Sequence, residues 1–395
     1  GSAGEAVRVL FITGEFPPMQ GGVGDYTREL GLALHDLGCE VDVVGPTQAG
    51  PVSGLTVHGL VERWGWRCWG TLLDLIRQRE PDVVHVQYQA AAYAMHPAIN
   101  FWPWRLRLMG AARPRSVVTF HDLKVPYLFP KAGPVRRMVV NELARRSDAA
   151  ITTNREDLAA MGTILATPPA LIPIGSNIKP ALPENFERDA RRSRWGAGPD
   201  DLVLCFFGFI NERKGVDTLL HALHALVTNP PRTGNVSLVF IGGRTGSSDP
   251  TNVAYLAEMD ALIARLELKD RIRWTGFVPE EEVTASFEAA DLCVLPYRDG
   301  VSLLHGTFHA ALIHGVPIVT TRPRMRLPEL SHGENVYLVA PGDVRALAAA
   351  INQLAADEQL CQKLGAGAKI LSERFRWDTI AADTLELYRA IGAGP

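Results

Sequence analysis

The hydrophobic positions of this chain fall into short, largely β-branched runs separated by stretches with helical spacing. VRVLFIT (7–13) precedes a helical pattern over roughly 22–38, and CEVDVVGP (39–46) follows it. PDVVHVQY (81–88), RSVVTFHD (115–122), AAITTN (149–154) and ALIPIG (170–175) continue the series. Such alternation predicts a parallel sheet with helices on both faces. The segment 179–201, rich in Pro, Gly and charge, then breaks the pattern as an interdomain connection would. Within it ERDARRSRW (187–195) reads as a charged helix or connector.

A second alternating set begins at LVLCFFGFI (202–210). It runs through VSLVFIGG (236–243), RIRWTGFV (271–278), DLCVLPY (291–297), VPIVTT (316–321) and NVYLVAPGD (335–343). Two helical stretches close the chain, the last being WDTIAADTLELYRAI (377–391). The pattern predicts two doubly wound α/β domains joined near residue 180, with ligands beyond the carboxyl ends of the strands.

Composition changes this picture little. A length of 395 residues suits two cores, and 47% hydrophobic with 21% charged residues describes a globular chain. Forty basic and 43 acidic residues give a net charge of -3, which makes no electrostatic case for nucleic acid. Five scattered cysteines form no CxxC pair, so a reducing, cytosolic setting is expected over a disulfide framework. No apolar window is long enough to span a bilayer. The opening GSAGEA has neither a basic nor an apolar leader region.

Three strand ends carry candidate chemistry. After the first strand, GEFPPMQGG leads into a helix, and Gly21-Gly22 lets backbone amides approach an anion; an ordinary turn is an equal reading. At the opening of the second set, Arg213-Lys214-Gly215 places two cations before a helix, suited to phosphate or simply to solvent. His121 follows the strand RSVVTF immediately, whereas His85 inside VVHVQY reads as packed in its strand. No HExxH, Cys/His pair or DxD-type loop is present, and SSDPTN (247–252) reads as a surface loop, so no metal is expected.

Taken in order, these pieces resemble the GT-B glycosyltransferases, specifically retaining family 4 (glycosyl transferases group 1), over nearly the whole chain. The resemblance rests on the Gly21-Gly22 loop, VVTFHD, IPIGSNI (172–178), GFINERKG (208–215), IGG (241–243), TGFV (275–278), HGVPIVTT and the terminal RFRWDTIAADTLELY. It implies two Rossmann-like domains with parallel sheets facing across a cleft. Residues 1–180 would form the acceptor-side domain, 181–375 the donor-side domain, and 376–395 a helix crossing back to the first.

It also implies roles. The Gly21-Gly22-Val23 loop would face the donor sugar and diphosphate, and His121 would hydrogen-bond the transferred sugar. Lys214, with Arg213 beside it, would neutralise the diphosphate leaving group. Val278 would lie beside the base, and Gly208, Gly242 and Gly243 would let the nucleotide approach the backbone. Ser302, Leu303, Leu304 and His305 would line the donor, with Gly306 and Thr307 presenting free amides to its phosphates. The donor would be a UDP- or GDP-sugar, and the acceptor a glycan, a lipid-linked sugar or a small molecule. No cofactor or metal is implied.

The chain departs from the family where two glutamates are usual: Ser302 and Ala310 stand there, and Phe209 replaces a common Arg. Asp299 or His305 could substitute for the first acid, and Arg213 for the Arg. Two other readings stay open: a non-catalytic nucleotide-sugar or glycan-binding protein, and a GT-B phosphorylase. FWPWRLRLMGAARPR (101–115) and VRRMVVNELARRSD (135–148) are basic and amphipathic. Two sheet-covering helices with solvated Arg faces are favoured there over peripheral docking at the inner face of a membrane.

Overall fold

The computed structural model describes residues 6–121, 123, 133–231, 234–244 and 250–394. The chain divides into two compact units, Gly1–Gly175 with Phe375–Pro395, and Ser176–Arg374. Asp122, the first residues of GSAGEA and residues 247–249 of the expected surface loop lie outside the described residues. Pro250 already begins a helix, so the PTN of that loop is helical.

The first unit carries strands β1 (Arg8–Thr13), β2 (Glu40–Pro46), β3 (Thr56–Val61), β4 (Val83–Tyr88), β5 (Arg115–Phe120), β6 (Ala149–Thr152) and β7 (Ala170–Leu171). All pair in parallel in the order β3-β2-β1-β4-β5-β6-β7. Its helices are α1 (Gly22–Asp36), α2 (Cys68–Arg79), α3 (Trp102–Arg107), α4 (Gly133–Arg146) and α5 (Arg155–Gly162). The second unit has helices α6 (Arg188–Arg194), α7 (Val216–Thr228), α8 (Pro250–Arg265), α9 (Glu280–Ala289), α10 (Gly306–His314), α11 (Val344–Ala356) and α12 (Glu358–Ser372). Its strands are β8 (Leu202–Phe207), β9 (Val236–Ile241), β10 (Ile272–Trp274), β11 (Leu292–Leu295), β12 (Ile318–Thr321) and β13 (Tyr337–Val339). These are parallel in the order β10-β9-β8-β11-β12-β13. The last helix, α13 (Trp377–Ala390), belongs to the first unit.

In each sheet the chain reverses its winding once, between β1 and β4 and between β8 and β11. Loops leaving the two strands at such a point diverge and open a crevice at their carboxyl ends. The central strands are buried on both faces, as their unbroken Val, Leu, Ile and Phe runs require.

The hydrophobic pattern predicts no strand at β3. TVHGLV is half-exposed at the sheet edge, and its His and Gly break the apolar run. The arginine-rich α6 is also more than a charged connector. Arg192 is fully buried, with its guanidinium donating to the carbonyls of Gly198, Asp201 and Ala289 and to the Asp291 carboxylate at 3.2 Å. A buried guanidinium is tolerable only when its donors are met, and here they are.

α13 packs on α1 and lends Ile380, Ala381, Leu385 and Tyr388 to the first core. The Tyr388 hydroxyl meets His85 Nδ1 at 2.5 Å, while His85 Nε2 meets the Thr119 hydroxyl at 2.7 Å. Burial, aided by nearby His121, lowers the His85 pKa to about 3. That lies below the unfolded value of about 6.5, so on acidification the unfolded chain takes up this proton first. The contribution is fully present above about pH 6.5 and declines by roughly 1.4 kcal/mol per unit as pH falls toward the folded value. Urea unfolding between about pH 7 and pH 5 should therefore show a flatter loss of stability in His85→Gln than in the wild type; equal slopes would contradict this assignment.

Candidate functional site

In the second unit the loops after β8 and β11 converge. Gly208 leaves β8 with φ 109°, and a methyl built on it would stand 2.6 Å from Thr307 Cγ2 and 2.8 Å from Lys214 Nζ. Only a residue without a side chain allows that approach in that conformation. Lys214 ends a short 3-10 turn, Glu212–Lys214, and Gly215 at φ 68° turns the chain into α7. Burial lowers the Lys214 pKa to about 8. Its ammonium makes no hydrogen bond or ion pair among the described residues.

α10 begins on the other side of this cluster. His305 precedes it without a side-chain cap, and the amides of Gly306 and Thr307 have no acceptor among the described residues. Space beside Gly306 is open. The Thr307 hydroxyl is held by the Tyr297 hydroxyl at 2.5 Å, and the Tyr297 ring stacks on His305 with centroids 4.0 Å apart. Ser302 N–H donates to His305 Nδ1 at 3.2 Å, so neutral His305 carries its proton on Nε2. Burial, then Lys214 and His309, lowers its pKa and keeps it neutral. An uncommitted ammonium, two free amides at a positive helix end and an imidazole N–H are chemistry that suits a polyanion.

Gly242, at φ 110°, follows β9, and its missing side chain faces the Gly208 backbone at 3.8 Å. Its amide donates to the Thr275 hydroxyl at 3.0 Å. Gly243 lies under Phe209, whose ring would be 2.8 Å from a methyl there. Phe277 beside half-buried Val278 is 89% exposed.

Thus Gly208, Gly242, Lys214, His305 and Thr307 come together. The other predicted residues of this unit have different environments. Arg213 is exposed, and among the described residues only its carbonyl is used, by Arg298 N–H at 2.8 Å. Ser302 Oγ accepts from Leu304 N–H, and the Leu303 carbonyl meets His309 Nε2 at 2.6 Å, so 302–304 are a self-bonded loop with Leu304 exposed. Asp299 is paired with Arg324 at 3.0 Å. Ala310 is fully buried on the inner side of α10.

In the first unit, the loop after β1 folds over the start of α1. A methyl on Gly21 would collide with the Glu15 carboxylate, and Gly24 packs against the Glu15 carbonyl. Burial, with Asp25 nearby, raises the Glu15 pKa. Gly22 has open space, while the Val23 side chain is buried, leaving only backbone there for a ligand. His121 follows β5, its Nε2 2.8 Å from Gln87 Oε1 and its ring edge-on to Tyr26 at 4.5 Å. With Oε1 accepting, the proton sits on Nε2 and Nδ1 is left as an acceptor. Burial lowers the His121 pKa to about 3.

Gln87, Tyr297 and Glu15 are additions to the residues read from sequence. Gln87 and Tyr297 had a usable signal, each being a polar group where an apolar strand ends. Among the described residues no group of three or more His, Cys, Asp or Glu is placed to hold a metal. No helix among them is long and apolar enough to cross a membrane.

Two family profiles match. The one described as glycosyl transferases group 1 matches residues 201–357, and the glycosyl transferase 4-like domain matches 21–175. A D-inositol 3-phosphate glycosyltransferase of Streptomyces bingchenggensis is 26% identical over 93% of this chain and 84% of its own. A GDP-mannose-dependent alpha-(1-6)-phosphatidylinositol monomannoside mannosyltransferase of Mycobacterium tuberculosis is 25% identical over 97% of this chain and 98% of its own. Among solved structures, Anabaena HepE in complex with UDP superposes with a TM-score of 0.67 at 19% identity, covering 97% of this chain and all of that one.

The crowding at Gly208 gives a direct test. Gly208→Ala should weaken binding of inorganic pyrophosphate by about tenfold or more, roughly 1.4 kcal/mol, in calorimetric titration. Unchanged affinity in a folded variant would show that Lys214 and Thr307 do not form the anion site.

Proposed function

The chain belongs to the glycosyl transferases group 1, a family of GT-B glycosyltransferases that use nucleotide-sugar donors, and from that premise we propose that it transfers the sugar with retention from a donor held by its second unit. The convergence of Gly208, Lys214 and the open start of α10 at the β8/β11 switch point carries this reading. As the glycosidic bond breaks, negative charge grows on the departing diphosphate. Lys214 and the Gly306 and Thr307 amides stabilise that charge where it appears, with little reorganisation. The sugar passes through an oxocarbenium-like state.

His305 takes over part of what an acid provides elsewhere in the family. It is a donor where a carboxylate accepts, so we assign its Nε2–H to a phosphate or sugar oxygen rather than to the ribose. The glycines 208, 242 and 243 give the nucleotide its approach to the backbone, with Val278 beside the base. His121 is assigned to the transferred sugar, and the amides at Gly22 and Val23 to the donor's polar edge. Gln87 orients His121.

UDP- and GDP-sugars are the donors proposed. HepE was solved with UDP, and the Mycobacterium relative is described as GDP-mannose-dependent. The acceptor is a hydroxyl of a glycan, a lipid-linked sugar or a small polyol. The buried Ala310 favours a second reading, a protein that binds nucleotide-sugar without turning it over.

Thermal-shift screening against UDP- and GDP-sugars, followed by donor hydrolysis, separates the two readings. Lys214→Ala should lower hydrolysis or transfer by about 100-fold while leaving the melting temperature near the wild-type value. Unchanged turnover would remove Lys214 from the reaction. Because Lys214 loses its charge above a pKa of about 8, kcat/KM should fall as pH rises through that value. His305→Ala should cost roughly tenfold or more and His305→Gln, which keeps a donor, markedly less.

A further inference from the structure

A second recess opens on the first unit, lined by Trp66, Trp69, Phe101, Trp104, Glu142 and Arg146 and enclosing about 420 Å³. Trp66 and Trp104 are 51% and 43% exposed. The rings meet at steep angles, Trp66 to Trp69 at 86° with centroids 5.1 Å apart, and Trp69 to Trp104 at 46° and 6.3 Å. Trp69 is fixed in place, its Nε1–H donating to the Ala98 carbonyl at 3.0 Å. The polar wall is the Glu142 carboxylate with Arg146 at 3.2 Å and Arg145 at 3.9 Å.

We propose that this recess binds one or two pyranose rings of a neutral glycan, the acceptor chain of the transfer reaction. A pyranose presents a flat patch of polarised C–H groups, which an indole face attracts, and a rim of hydroxyls. A carboxylate and guanidinium side by side accept from and donate to neighbouring hydroxyls, and 420 Å³ is in the range of small-molecule sites. Tryptophan and arginine also mark membrane-facing surfaces. Here, however, the indoles line a hollow and a carboxylate sits in its wall, with two of the neighbouring arginines turned onto it. Arg145 and Arg146 pair with Glu142, and Arg107 donates to the Arg146 carbonyl at 3.0 Å. The Glu142 carboxylate repels an anionic headgroup from the wall itself and accepts from a neutral hydroxyl.

The acceptor role rests on the glycosyltransferase reading; the binding itself does not. The test titrates the full chain with neutral gluco-, manno- and galacto-tetrasaccharides and reads tryptophan fluorescence, with UDP and GDP titrated separately. We expect a saturable response to at least one tetrasaccharide. Trp104→Ala and Glu142→Gln should weaken it by more than tenfold while leaving nucleotide affinity unchanged. Sugar binding without any nucleotide binding would keep the recess and remove the donor-site reading. Nucleotide binding with no response to any tetrasaccharide would overturn the recess. A response to phosphatidylglycerol vesicles and to no sugar would also overturn it, in favour of a membrane face.

Discussion

The second unit's binding edge depends on one close approach: the Gly208 Cα lies against both Lys214 and Thr307. β8 and β11 send their loops to opposite sides of the sheet, and these loops meet again only if nothing projects from Gly208. The same crowding withdraws Lys214 from water and keeps it close to the start of α10. Desolvation lowers its pKa, which raises the value of any anion that restores its partner. Tyr297 extends the arrangement, with its hydroxyl on Thr307 and its ring on His305. The absent acids therefore leave no vacant cavity: Ala310 is core, and Ser302 serves the loop that orients His305.

The first unit builds its edge on a different constraint. His121 is set by Gln87 and by Tyr26, and Tyr26 in turn lies edge-on to Trp377 at 5.3 Å. Trp377 also fills the space above Gly175, where a methyl would collide with its ring. The C-terminal helix thus reaches His121 through two aromatic contacts, while Tyr388 closes the core behind His85. A helix distant in sequence is part of the wall that positions a strand-end histidine.

Much of this was legible in the sequence because parallel strands buried on both faces leave unbroken apolar runs. β1, β8 and β9 are of that kind, and the loops that follow them carried the glycine and Lys signals. β3 was not legible, since an edge strand needs only one covered face and tolerates His58 and Gly59. Arg192 was hidden for the opposite reason: its acceptors are backbone carbonyls and Asp291, which local charge counting cannot see. The aromatic recess gathers residues from 66 to 146, so only tertiary structure assembles it. Phe209 is recognisable in sequence as a departure, but its contact with Gly243 is not.

Amide hydrogen exchange with and without a saturating nucleoside diphosphate would test the donor site most directly. Binding as described should slow exchange at Gly306 and Thr307 and across 208–215, the segments whose amides and cation meet the phosphates. Tight nucleotide binding that leaves those segments unprotected would place the donor elsewhere and contradict the assignment of Lys214 and α10.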